Sequence, residues 1–244
     1  MKQNNIQFSL HLEKVSTLIN AAQSDENPAL FLFANGLRAP LFQLEGLSRI
    51  YSSTGPDKKR FRKMQEKFKV LEDVLGSIDY FNAFGKVYAK DKRIPQNVKL
   101  YFSDKEEKNI SKLNKVLKSE DWLNGKLLEK INSALEETNW KDKDEQHKRL
   151  LKFYGSEIVE IVDFAREGKV VFIDVESGIH EFRRKLRWLS IYAQALQGCI
   201  ELVDIEQERL ELQNYLTDSV LDSPYNKLPP VEDEKLHPLL LSKF

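Results

Sequence analysis

Apolar residues recur every three or four positions along most of this chain, the period of a helix with one packed face. From Ile6 to Ala22 the stripe is Phe8, Leu12, Val15, Leu18 and Ile19. Ser24-Asp25-Glu26-Asn27-Pro28 breaks it, with Asn27 placed to cap the next helix and Pro28 at its first position. That second helix is predicted from Pro28 to Tyr51 and is ended by Ser52-Ser53-Thr54-Gly55-Pro56. Pro40 inside it should kink or interrupt it, because proline lacks the N–H and crowds the preceding turn. A third, unusually long helix is expected from Asp57 to about Arg93. Phe61, Met64, Phe68, Leu71 and Leu75 share one of its faces, Lys59, Arg62, Lys63 and Lys67 another, and Gly76 and Gly85 are points of bending or close packing.

From Pro95 to Trp140 the pattern is less regular, with helical pieces around Asn109–Leu117 and Trp122–Leu135. Asp142 to Glu167 reads as a helix carrying Leu150, Leu151, Tyr154, Ile158, Ile161 and Val162, and Gly168 ends it. The β-branched run from Lys169 to Asp174 is read as a connector, too short to stand as a sheet. Val175 to about Leu221 is predicted as one long helix, or two broken near Gly198, closed by Pro224 and Pro229-Pro230. Leu239 to Phe244 is an apolar end without a finishing helix, expected to dock or to mark a natural chain that continues. The fold class expected is all-α, a bundle of long helices. The organisation expected is two helical halves, residues 1–140 as a degenerate repeat and residues 141–244 carrying the His/Arg motif, the second expected to be incomplete at the C-terminus.

Composition narrows the class. A chain of 244 residues with 41% apolar and 31% charged residues describes a globular protein, and ten glycines and eight prolines argue against a loop-rich β architecture. No secretory leader is expected, because Met1-Lys2-Gln3-Asn4-Asn5 runs into amphipathic sequence, and no run approaches the roughly 18 apolar residues that span a bilayer. Cys199 is the sole cysteine, so no intrachain disulfide or cysteine zinc site is expected. A cytoplasmic protein fits best. The 38 basic and 38 acidic residues cancel, yet unevenly. Lys58, Lys59, Arg60, Arg62, Lys63, Lys67 and Lys69 face only Asp57 and Glu66 between positions 57 and 70, whereas Glu201, Asp204, Glu206, Glu208 and Glu211 outnumber Arg209. Local basic surface attracts anions even on a neutral molecule.

The densest chemistry is His180-Glu181-Phe182-Arg183-Arg184-Lys185-Leu186-Arg187. At about 100° per residue, His180, Arg183, Arg184 and Arg187 fall within roughly one third of a helix circumference. Phe182, Leu186, Leu189 and Ala193 fall opposite, with Ile179 and Leu196 at the margins. Guanidinium groups match phosphate oxygens in geometry and charge, so a face that masses them is an oxyanion candidate. A solvated basic face is the plainer alternative.

Asn35-Gly36-Leu37-Arg38-Ala39-Pro40-Leu41 lies in register with His180–Leu186, 145 residues earlier, and Leu44 then matches Leu189. The pattern His-x-x-Arg-x-x-x-Arg, echoed a half-chain apart, resembles the CHAD family, the conserved-histidine α-helical domains. That resemblance implies two helical bundles from duplication, with a basic surface at their junction for inorganic polyphosphate. It assigns anion contacts to His180, Arg183, Arg184 and Arg187, and to Arg38 in the first half. The long basic helix with Leu75-Gly76-Ser77-Ile78-Asp79 looks like the family's next helix, which adds Lys59, Arg62 and Lys63. Asn35 stands where the family's first histidine would be, and Phe42 where a first-half arginine would be.

Asn35–Leu41 also looks like the H-box of sensor histidine kinases, but an amide at position 35 cannot accept phosphate as imidazole does. His180 beside Arg183 and Arg184 is compatible with a histidine phosphotransfer bundle, although Arg184 crowds the place where such bundles keep a small residue. His11, His147, His180 and His237 lack metal-site spacing. His11 and His147 are expected at the surface, and Tyr80, Phe81, Phe84, Trp122, Trp140 and Trp188 in packing. The expectation is a non-catalytic domain without cofactor or metal that binds polyphosphate or another phosphate-rich anion. The alternative is a structural or protein-interaction bundle. Membrane and nucleic acid are not expected as partners; a homo-oligomer is compatible with the sequence.

Overall fold

In the computed structural model the described residues are 6–140, 142–166, 174–196, 200–203, 217–222 and 239–242. Gly168, the run from Lys169 to Ile173, Gly198, Cys199, the acidic stretch after Val203, Pro224 and Pro229-Pro230 lie outside them. The architecture is all-α, helix packed on helix, and the chain divides into two compact units, Met1–Lys141 and Asp142–Phe244.

The first unit opens with α1 (Ile6–Ala22), whose Phe8, Leu12, Val15 and Ile19 are buried as their spacing predicts. His11 is wholly buried on the same helix, contrary to the surface position expected. It stands three residues from Phe8 and four from Val15, on the packed stripe rather than across from it. In α2 (Pro28–Ala34), the Asn27 side chain accepts from Leu30 N and Pro28 sits in the first turn. The helix stops at Asn35-Gly36-Leu37, five residues before Pro40. Gly36 takes φ +73°, its N–H bonds Phe33 O, and Leu37 N–H bonds Leu32 O. This pair of bonds is a Schellman stop, which favours glycine at the left-handed position. Pro40 is instead the third residue of α3 (Arg38–Thr54), in a turn whose N–H groups have no helical partner to lose.

α4 (Lys58–Lys90) is capped by the Asp57 carboxylate, which accepts from Arg60 N at 3.0 Å. At 33 residues it is about 50 Å long. α5 is a single helix, Gln96–Ser119, where only its second half was expected, and α6 is Lys126–Glu136. Tyr51 meets Phe61 beside the joining loop and Arg38 meets Glu72 at the far end, so α3 and α4 are antiparallel. Lys67 with Glu120, Asn82 with Glu106 and Tyr88 with Phe102 make α4 and α5 antiparallel too. Phe8, Tyr51, Phe61 and Trp140 form one aromatic cluster, and Trp122 packs on Phe68. Arg60 reaches from α4 to the Ala134 carbonyl at 2.7 Å and ties down the end of α6.

The second unit contains α7 (Lys143–Arg166), a π-helical turn at Val175–His180, and α8 (Glu181–Leu196). Tyr154 donates to Leu189 O at 3.0 Å, Phe153 packs edge-on to Tyr192, and Phe164 stacks with Phe182, which sets α7 and α8 antiparallel. Of the two expectations from Val175 to Leu221, one long helix or two broken near Gly198, the break near Gly198 is the nearer: α8 ends at Leu196, but no second long helix follows among the described residues. Ile200–Val203 is instead a strand, β1, paired in parallel with β2 (Leu239–Ser242), in register Ile200 to Leu239. Each run is apolar at three of its four positions, and each supplies the backbone partner the other lacks. Between them α9 is a single turn, Asp218–Leu221.

Candidate functional site: two basic surfaces

Arg38, the first-half member of the expected anion set, is committed inside the fold. Its Nε bonds Glu72 Oε1 at 2.9 Å and its Nη1 bonds Asp79 Oδ2 at 2.8 Å, while the guanidinium lies over the Phe42 ring at 5.1 Å. Glu72, Gly76 and Asp79 follow one another on a single α4 stripe. A Cβ at Gly76 would come within 2.7 Å of the guanidinium, so the absent side chain is what lets Arg38 lie across the helix. Only 9% of the Glu72 side chain meets solvent, and a carboxylate so placed needs its cation. Arg38, Phe42 and the Leu75-Gly76-Ser77-Ile78-Asp79 motif thus form a helix clamp, and the guanidinium expected to contact an anion is paired here with two carboxylates.

Lys59, Arg62 and Lys63 are arranged differently. All three, with Lys58, are exposed and form no ion pair or hydrogen bond among the described residues. They open α4, whose first turn carries no acidic residue. Lys58 and Lys59 stand in the first turn, where the positive end of the helix dipole disfavours cations by about 0.3–1 kcal/mol each; the Asp57 cap offsets part of that repulsion, and a bound anion would relieve more of it. The concentration extends further than residues 57–70. From Lys58 to Ser119, α4, α5 and the loop between them carry seventeen Lys and Arg against eight Asp and Glu, so a neutral chain holds a helical hairpin of net charge +9. That signal is present in the sequence and emerges when charge is summed over the two paired helices.

In the second unit His180, Arg183, Arg184 and Arg187 are all exposed, as the wheel predicts. They are not equally available. Arg184 pairs with Glu181 at 2.9 Å, and Arg187 makes an interaction of its own. Lys185 pairs with Glu160 of α7 and lies over Phe164. His180 ends the π-helical turn, whose Asp174 cap accepts from the backbone N of Ser177 at 2.7 Å and from its hydroxyl at 2.8 Å. Those bonds hold the Asp174 carboxyl below the usual range. The packing does not divide as the wheel does. Tyr192 and Leu196 are buried away from the cations, yet Ile191, four residues after Arg187 and on the cationic face, is buried too, while Leu186 and Ile179 remain largely exposed.

Among the described residues no group of His, Cys, Asp and Glu is arranged to hold a metal ion, and no described helix is long and apolar enough to cross a membrane. Comparisons of the chain with protein-family models, with curated proteins and with solved structures return no match.

Proposed function

We propose that this chain is a non-catalytic binder of phosphate-rich polyanions, with its principal surface on α4 and α5 around Lys59, Arg62 and Lys63. The observation that carries this reading is the +9 hairpin with unpaired cations at the positive end of α4. Cations placed where helix and neighbours both repel them reduce stability, and multidentate phosphate offsets that cost through charge-assisted hydrogen bonds. His180 and Arg183, with Arg184 and Arg187 partly engaged, are a second basic surface in the other unit. The CHAD-like spacing of that motif agrees with the same ligand class.

Titration calorimetry of the whole chain with inorganic polyphosphate and with orthophosphate tests the proposal. Polyphosphate should bind with an affinity that falls steeply with salt, and orthophosphate should bind far more weakly. Replacing Lys59, Arg62 and Lys63 by Ala should remove most of the affinity, and Arg183→Ala with Arg187→Ala a smaller part. Undiminished affinity in the first variant, or no heat with polyphosphate at all, would end this reading.

A second reading, a protein-interaction bundle, draws on the exposed apolar residues Leu151, Ile158 and Val159 of α7. It predicts self-association or partner capture that Val159→Asp abolishes and polyphosphate does not affect.

A further inference from the structure

No residue of α4 beyond Ile78 is buried, and none of α5 before Leu113. Residues 80–108 therefore form an arm of two antiparallel helices, held by half-buried Phe81, Tyr88 and Phe102. Large apolar side chains stand out from it: Val87 is 62% exposed, Leu100 59%, Tyr101 52% and Tyr80 52%. Around the tip are Lys86, Lys90 and Lys92, none with an ion pair or hydrogen bond among the described residues. Together with Val87 and Asp91 these lysines line an open depression of about 500 Å³. Arg93 neutralises Asp91 at 2.7 Å, so the unmatched charge at the tip is positive.

We infer that the tip of this arm docks on an anionic lipid bilayer, with Val87, Leu100 and Tyr101 entering the interface and Lys86, Lys90 and Lys92 meeting the headgroups. Free phosphate would account for the lysines and leave the apolar side chains in water. Stacked bases need open ring faces, whereas Phe84 lies against Tyr80 and Tyr88, and Lys105 lies over Tyr101. A partner helix laid in a groove covers one side of the arm. Leu100 and Tyr101, neighbours on α5, point about 100° apart, and both are exposed. A second copy would bring like charges together. A bilayer surface surrounds the tip, takes apolar groups on several sides, and lets lysine stems run back to the phosphates. This contact is superficial and needs no spanning helix; it departs from the expectation of no membrane partner. It does not depend on Lys59, Arg62 or Lys63.

Co-sedimentation of the full chain with vesicles of mixed phosphatidylserine and phosphatidylcholine, and with phosphatidylcholine alone, tests the inference. Binding should be at least about tenfold stronger to the mixed vesicles. Val87→Ser with Leu100→Ser should abolish it while leaving helicity and polyphosphate affinity unchanged, since both positions face solvent and the hairpin keeps its charge. Lys86→Glu with Lys90→Glu and Lys92→Glu should weaken it roughly 100-fold. The inference falls if the chain ignores phosphatidylserine or if the Val87/Leu100 variant binds like the parent. It falls equally if only the Lys59/Arg62/Lys63 variant loses binding, because the lipid would then be one more polyanion for that surface.

Discussion

α4 behaves as two helices in one. From Lys58 to Asp79 it lies against α3 and buries Phe61, Phe68, Leu71, Leu75 and Ile78; from Tyr80 to Lys90 it packs against α5 and buries nothing. The hydrophobic residues are as plentiful in the second half as in the first, so composition does not separate them. The difference is a third helix. α3 begins at Arg38, and the Arg38 clamp on Glu72 and Asp79 marks where three-helix packing gives way to two. Apolar spacing therefore specifies a helix, while the reach of its neighbours decides whether its stripe becomes core or contact surface.

Five substitutions probe that boundary, beginning with the largest effect. Phe68→Ala empties a site against Trp122 and should cost about 3–5 kcal/mol in urea denaturation, whereas Phe84→Ala in the arm should cost less than about 1 kcal/mol. Equal losses would mean that the arm is as integral to the core as the base. A double-mutant cycle of Arg38→Met and Glu72→Met should give a coupling of about 1–2 kcal/mol, since water reaches 31% of the Arg38 side chain and screens the pair. Gly76→Ala sharpens this through its sign. In the parent it should destabilise by displacing the guanidinium. With Arg38→Met already present it should stabilise by about 0.5–1 kcal/mol, the ordinary gain of alanine in a helix interior.

The smallest effect concerns Glu45, buried on α3 beside Arg49. Burial raises its pKa more than the Arg49 guanidinium lowers it. The folded state therefore holds this proton more tightly than the unfolded chain does. Stability contributed at this position should increase as pH falls through the raised value and decrease as pH rises through it. Glu45→Gln should remove that slope in a melting series across the acid range. An unchanged slope would assign the pH dependence to other carboxylates.

How legible this was in the sequence depended on how local each cause is. The α1 stripe, the Asn27-Pro28 start and the Asp57 start of α4 rest on residues within a turn or two of one another, and each was readable. The stop at Asn35-Gly36-Leu37 was equally local. Pro40 is the stronger breaker by residue type, yet the stop is set by Gly36, the residue that takes the left-handed position at least cost. Arg38 could not be told from Arg183 by spacing. They occupy matching places in the echo, yet Arg38 meets carboxylates 34 and 41 residues away. The echo itself breaks at the backbone, where Gly36 is left-handed and Glu181 is right-handed helical. The strand at Ile200–Val203 depends on a partner almost forty residues further on, which no local period encodes. Exposure of the His180, Arg183, Arg184 and Arg187 face was legible, and the Glu181–Arg184 pair is local enough to be read from spacing; the Glu160 partner of Lys185, on another helix, was not.

The π-helical turn at Val175–His180 has a consequence for how this chain tolerates change in length. Such a turn closes its hydrogen bonds one residue later than an α-helical turn, so it stores a single surplus residue at the entrance to α8. Removing that residue would let the entrance wind as ordinary α-helix while Phe182, Tyr192 and Leu196 kept their places. His180 would rotate around the axis relative to everything downstream. A one-residue deletion here is thus a way to re-aim the imidazole without repacking the unit that carries it.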